Sequence, residues 1–285
     1  MAKFILSAFA DEIDENFETQ LTSLVKLKIP LIELRGVDGK SFTLLNDGEV
    51  GEVKEKLDRY GIKVWSLGSP VGKVTTDKFG ETLKTLGRVM DIGDMLSAKR
   101  IRMFSFYPEK SDSPAAFEKK VFSLTEKLLS AADSRGFTLC HENEKGIYGQ
   151  SPGAVKKLAD YFGGKLRLVH DGGNFAFCGE EAAGSYALLK DYIEYLHIKD
   201  SVKSGAIVPP GLGDAAIKET LAEVHKDKTG EVVLTMEPHL MAFSGLSSLS
   251  NIDDITHLYT FDSPYDAFSK ATQSVREMLI GIGAV

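Results

Sequence analysis

Phe137-Thr138-Leu139-Cys140-His141-Glu142-Asn143-Glu144 is a largely apolar run that stops abruptly on charge. The same ending recurs three times downstream. Leu166 to Val169 ends on His170-Asp171, Tyr195-Leu196 on His197-Ile198-Lys199-Asp200, and Val232 to Met236 on Glu237-Pro238-His239. Strands buried on both faces of a parallel sheet read as short apolar runs bounded by polar or turn residues. Helix-length segments separate these four runs, so the second half of the chain predicts four successive βα units.

Working upstream, Phe4–Ala8, Leu31–Arg35, Val64–Leu67 and Arg100–Phe106 read as four more strands. Between and after them, helical spacing of apolar residues predicts helices over Asn16–Leu27, Glu49–Tyr60, Thr82–Leu96 and Pro114–Ser134, with Ser113 as N-cap and proline at N1. Further helices are expected over Ser151–Tyr161, Glu180–Leu189, Ala215–His225 and Ala267–Ile280. Eight strands alternating with helices are the count that closes a (β/α)8 TIM barrel, an α/β fold. No G-x-G-x-x-G follows the first strand, which disfavours an open dinucleotide-binding sheet. No linker-like composition shift divides residues 1–285, so a single domain is expected. Residues 238–264 form the longest unassigned connection, a candidate lid or oligomer contact.

Lys plus Arg total 34 against 41 Asp plus Glu, a net charge of −7 that gives no support for nucleic acid as partner. Phe4 to Ala10 runs into Asp11-Glu12 too soon for a signal peptide, and no apolar run approaches the roughly 20 residues that cross a bilayer. The two cysteines, Cys140 and Cys178, form no disulfide framework and read as reduced packing thiols in a cytoplasmic protein with no membrane partner.

In a barrel, residues where strands pass into their βα loops lie at the C-terminal mouth, where such enzymes do their chemistry. Glu142, Asp171, His197 and Glu237 hold that position on strands five to eight, at separations of 29, 26 and 40 residues. Adjacent strands lie about 4.8 Å apart, so four such side chains can reach one ion. Three carboxylates and one imidazole suit a single divalent metal ion, Mn²⁺ or Mg²⁺, while Co²⁺ or Zn²⁺ would also bind.

H-E-N at Glu142, H-D-G-G-N at Asp171, Y-L-H-I-K-D at His197 and M-E-P at Glu237 resemble the strand-end motifs of the xylose isomerase-like barrel superfamily of sugar phosphate isomerases and epimerases. The resemblance covers nearly the whole chain and is most specific in its second half. It implies a metal-dependent sugar isomerase or epimerase in which Glu142 and Glu237 are also the catalytic, proton-exchanging pair. A Lewis acid at the carbonyl stabilises an enediolate, and a carboxylate on each face removes and returns the proton. Where the ketose 3-epimerases of this superfamily place a histidine and an arginine, this chain has Asn174 and Lys203, so bidentate contact is lost. An inosose-type dehydratase on the same metal site is therefore the alternative. A non-catalytic sugar-binding protein and an abasic-site endonuclease rank lower. The nuclease relatives need extra histidine ligands, and the first 140 residues here contain no histidine.

Lys199 shares strand parity with His197, and Asn174, Lys203, Arg35 and His239 complete the expected substrate-binding set. The substrate is expected to be a small sugar or polyol, and a homo-oligomer is possible. Glu33 and Arg35 share one face of strand two, as sugar ligands or as an internal ion pair. His141 and His170 should point outward toward the helices. Glu144 is a spare carboxylate, more often solvated. Trp65 and Phe106 are weighed as an apolar wall against core packing. Pro209 to Asp214 reads as a turn with Asp214 as N-cap, or as a substrate-side glycine loop.

Overall fold

The computed structural model describes residues 1–242 and 256–284. Eight strands form one sheet: β1 Ala2–Ala8, β2 Leu31–Leu34, β3 Lys63–Leu67, β4 Arg100–Met103, β5 Thr138–Glu142, β6 Arg167–Asp171, β7 Ile193–Ile198 and β8 Gly230–Met236. All ladders are parallel, in the order β1-β8-β7-β6-β5-β4-β3-β2, and β1 lies against β2 across the seam. This is the expected (β/α)8 barrel in nearly closed form.

The helices are α1 Phe17–Lys26, α2 Asp47–Tyr60, α3 Phe79–Leu96, α4 Pro114–Asp133, α5 Pro152–Phe162, α6 Gly172–Phe177, α7 Ser185–Leu189, α8 Ile217–Asp227 and α9 Pro264–Gly281. Local chemistry sets their starts. Ser113-Pro114, Ser151-Pro152 and Ser263-Pro264 repeat one device, in which the serine hydroxyl accepts the N–H of Ala116, Ala154 and Asp266 respectively. Each cap contributes about 1 kcal/mol. Asn46 and Glu49 form a capping box on α2, which ends at Gly61 in the left-handed region.

Two expectations are corrected. Of the helix expected over 180–189 only Ser185–Leu189 forms, as α7; α6 is a separate helix upstream, because Asp171 caps it as soon as β6 ends, and Gly179 and Gly184, both at positive φ, lie between the two. Asp214 does not cap α8; its carboxylate accepts the Lys203 N–H, and the cap residue is Ala216. Much of the 238–264 connection, with its reading as lid or oligomer contact, lies outside the described residues. Thr256–His257 pair in parallel with Ala206–Val208, which pair antiparallel with Asp200–Ser201. No described helix is long and apolar enough to cross a membrane.

Inward-facing side chains divide the barrel into layers. At the N-terminal end, Arg100 and Arg167 close on Glu194 at 2.8 and 3.2 Å, and the Arg100 guanidinium covers the Trp65 ring. Above them Cys140, Val169, Tyr195 and Val233 form an apolar layer with Ile5, Leu31 and Trp65. Trp65 is therefore a core residue of the lower barrel. Phe106 is likewise fully buried and packs on Phe79. The acidic cluster with its histidine gathers at the C-terminal mouth.

Candidate metal centre at the mouth of the barrel

Glu142 is the last residue of β5, Asp171 the last of β6, His197 lies one from the end of β7, and Glu237 follows β8. The structure brings the four together. One ligand atom from each lies within 4.8 Å of all the others, and all four residues are buried. His197 Nδ1 stands 3.0 Å from Glu142 Oε1 and 3.0 Å from Glu237 Oε2. Asp171 Oδ1 accepts the Asn174 N–H at 2.8 Å as the cap of α6, which leaves Oδ2 toward the cluster, 3.1 Å from Lys199 Nζ.

The H-D-G-G-N motif has a packing reason. A Cβ on Gly172 would lie 2.5 Å from the Ala215 carbonyl oxygen, and one on Gly173 would lie 2.5 Å from that of Lys199. Only glycine lets the strand-seven loop pass this close to the start of α6. Asn143 adds a second tie between β5 and β6, donating to the Asp171 carbonyl at 2.8 Å and accepting its N–H at 3.0 Å.

Buried polar atoms are almost always hydrogen-bonded. Here Glu142 Oε2, Asp171 Oδ2 and Glu237 Oε2 are buried and accept no hydrogen bond, although cations stand nearby. Three such oxygens beside one imidazole nitrogen are the donor set of a hard divalent cation. The residues present therefore fit a metal ion.

Each glutamate also has an arginine beside it, Glu237 on its other oxygen and Glu142 on the same Oε2. Arg102 Nη1 lies 3.1 Å from Glu142 Oε2, and Arg35 Nη1 lies 3.0 Å from Glu237 Oε1. Both guanidiniums flank the Phe9 ring, with centroid distances of 4.2 Å for Arg35 and 5.1 Å for Arg102. Burial opposes ionisation of Glu142, but His197 and Arg102 outweigh it and bring its carboxyl to about 2. For Glu237, Lys199, His239 and His197 outweigh burial and hold it well below the usual carboxylate range. Asp171 goes the other way. Burial lifts it to about 6 against the pull of Lys199. Burial also works against a charged His197, yet Glu142, Glu33 and Glu237 raise it well above the ordinary imidazole value. Its proton supplies positive charge when no metal ion is bound.

The expected substrate residues divide. Lys199 is buried beside Asp171 and 4.0 Å from Glu237 Oε2. Asn174 donates to Glu142 Oε1 at 3.3 Å and to the Asn143 carbonyl at 2.8 Å, so its amide braces the cluster. Arg35 joins Glu237 to Asp11 and Glu12. His239, at φ 50°, has Nδ1 2.8 Å from Glu12 Oε1 and Nε2 3.5 Å from Glu237 Oε1. Lys203 is not brought to the cluster; it is exposed and pairs with Glu181. Glu144 pairs with Lys73. Asp200, not a ligand from outside, takes the N–H groups of Gly211, Gly213 and Ala215, so the glycine loop wraps an internal carboxylate.

Glu12, Glu237 and His239 form a second group of potential ligands. The Arg35 guanidinium already stands among them, 3.2 Å from Glu12 and 3.0 Å from Glu237, anchored by Asp11. Both Glu12 oxygens are taken by Arg35 and His239, whereas the first cluster holds the three oxygens without hydrogen bonds and is the candidate place for an ion. Reading only strands five to eight misses Arg102, Phe9 and Glu12. Arg102 carries a signal, since Arg100 and Arg102 alternate on one face of β4.

His141 and His170 point outward as expected, against Ser105 at 2.9 Å and Ser185 at 2.8 Å. Burial pushes both imidazoles down to about 4. An unfolded histidine titrates near 6.5, so the unfolded chain binds more protons between pH 6.5 and 4, and stability falls as pH falls through that window. Each imidazole should contribute about 3 kcal/mol to that loss. Urea titrations of the wild type and His170→Gln at pH 6.5 and 4 isolate one of them. The variant should lose about 3 kcal/mol less, and equal losses would show that His170 is not held neutral.

The fold and this cluster together define a (β/α)8-barrel protein with an acidic, one-histidine site at its C-terminal mouth. The chain belongs to the xylose isomerase-like TIM barrel family, whose model matches residues 24–252. No curated protein matches the sequence. Among solved structures, a D-allulose 3-epimerase from Methylomonas sp. superposes with a TM-score of 0.74 at 16% identity, covering 98% of this chain and 100% of that one. The IolI protein with a bound zinc atom gives 0.74 at 15% identity, covering 98% and 99%. The probable 3-DHS dehydratase AsbF from Bacillus anthracis gives 0.71 at 11% identity, covering 97% and 99%.

Proposed function

We propose that the protein is a divalent-metal-dependent sugar isomerase or epimerase that moves a proton on the carbon beside a carbonyl of a small sugar or polyol. The observation that carries this reading is the meeting of Glu142, Asp171, His197 and Glu237 around one point, with three buried oxygens lacking hydrogen bonds. The neighbouring folds support it: one is bound to D-allulose, one to zinc and one to magnesium. Held by these four residues, Mn²⁺ or Mg²⁺ would act as a Lewis acid for the charge that develops on the substrate oxygen as the C–H bond breaks.

The chain's own groups do the rest. Glu142 and Glu237, kept ionised, flank the site as the bases that take and return the proton. Lys199, Arg35 and His239 line the same cluster and orient substrate oxygens. One observation favours a second reading, dehydration. Lys199 is a buried ammonium beside Asp171, a fixed positive charge that could stabilise a departing hydroxyl.

Incubation with Mn²⁺ in D₂O with a panel of ketoses and inososes distinguishes the two. Deuterium beside the carbonyl without water loss supports proton transfer alone, and water loss supports the dehydratase. Neither change with any member of the panel would overturn the enzymatic reading.

A further inference from the structure

Glu33 lies in the barrel beneath His197, wholly buried, where an unsatisfied carboxylate would be costly. It is fully satisfied. The Tyr195 hydroxyl donates to Oε1 at 2.7 Å, the Thr235 hydroxyl donates to Oε2 at 3.0 Å, and His197 Nε2 stands 3.1 Å from the same Oε2. Tyr195 has one proton and spends it on Glu33, so Ser66, 3.0 Å away, donates to the tyrosine oxygen. A carboxylate ringed by donors leaves His197 Nε2 only the donor role. That assigns a proton to Nε2 and turns Nδ1 toward Glu142 and Glu237, so Nδ1 is the nitrogen that gives up its proton when an ion takes its place. The edge of the ring meets Phe9, with centroids 5.2 Å apart, which limits its rotation.

We propose that Glu33 is a positioning residue that fixes the tautomer and plane of His197, so that Nδ1 reaches the metal ion with its lone pair free. The proposal rests on the reading of Glu142, Asp171, His197 and Glu237 as a metal site. A carboxylate behind a metal-bound imidazole raises its basicity and holds its orientation, and such partners are typically worth 10- to 100-fold in metal affinity. Nothing reaches Glu33 from solvent, so it acts through the histidine and does not touch substrate.

Glu33→Gln replaces one acceptor oxygen by an amide donor. With that amide facing Nε2, the ring proton moves to Nδ1, where the ion binds. Titration calorimetry with Mn²⁺ on wild type, Glu33→Gln and Tyr195→Phe tests the idea. Tyr195→Phe removes one donor to Glu33 but leaves its contact with the histidine. Expected are a 10- to 100-fold weaker Kd for Glu33→Gln and a change of less than about threefold for Tyr195→Phe. Equal affinities in wild type and Glu33→Gln overturn the proposal while the metal site stands. Equal losses in both variants reduce Glu33 to core packing and overturn it too. No Mn²⁺ binding by the wild type removes the metal reading and this inference with it. Should Glu33→Gln not fold, ¹⁵N-histidine spectra of the Zn²⁺-loaded wild type decide. An Nε2–H signal for His197 supports the proposal, and an Nδ1–H signal overturns it.

Discussion

Glu237→Gln lowers the rate of proton exchange at the substrate carbon by about three orders of magnitude, within the range a positioned general base contributes. Glutamine keeps the shape of the side chain and can still meet Arg35 through its carbonyl, so the fold should survive. Arg35 also keeps Asp11 and Glu12. What is lost is the ability to accept a proton, together with one negative charge facing the proposed metal site. These two losses separate by titration. At limiting Mn²⁺ both reduce the rate, whereas at saturating Mn²⁺ only the missing base remains. Glu142→Gln should behave in the same way, since Glu142 holds the equivalent place beside His197 Nδ1. A rate within tenfold of wild type at saturating Mn²⁺, for either variant, would reduce that glutamate to a ligand.

Arg102→Met destabilises the metal-free protein by about 3–5 kcal/mol, because removing one partner of a buried pair leaves the other charge uncompensated. Arg102 is buried between the Phe9 and Phe104 rings, donates to the Gly68 carbonyl at 3.1 Å and faces Glu142. Methionine fills much of the same volume, so most of the penalty is electrostatic. The signature is its dependence on metal. With Mn²⁺ bound, the ion supplies part of the missing charge, and the difference between variant and wild type should shrink. Urea unfolding of both proteins in EDTA and in excess Mn²⁺ measures this. An unchanged difference would mean that Arg102 contributes packing alone.

The barrel was legible in the sequence because its strands are buried on both faces and end where the fold requires solvent. The four strand-end groups were legible for the same reason. Glu142, Asp171, His197 and Glu237 each interrupt an apolar run, and one strand spacing separates neighbours. The first half of the barrel follows the same geometry with less conspicuous residues. Phe9 and Arg102 look like a core aromatic and an ordinary surface cation until their stacking is seen. The role of Glu33 was out of reach, since Tyr195 and Thr235 lie 162 and 202 positions away. Lys203 was misplaced because the chain turns after Ile198 into the hairpin of Asp200–Ser201 and Ala206–Val208, and its side chain leaves the mouth for Glu181. Such turns depend on carboxylates like Asp200 gathering backbone amides, which no periodicity encodes.

Among the described residues, the ionic knot of Arg100, Glu194 and Arg167, with Trp65 and the apolar layer above it, fills the lower end of the barrel. Among the described residues, the four buried groups stand at the C-terminal mouth, the end from which they are approached. An ion seated among them would lie beneath a small molecule bound at the mouth, so loading would follow the logic of a stack: the ion enters first and leaves last. A bound small molecule then acts as a stopper. Chelators should strip the ion more slowly from the filled mouth than from the open one.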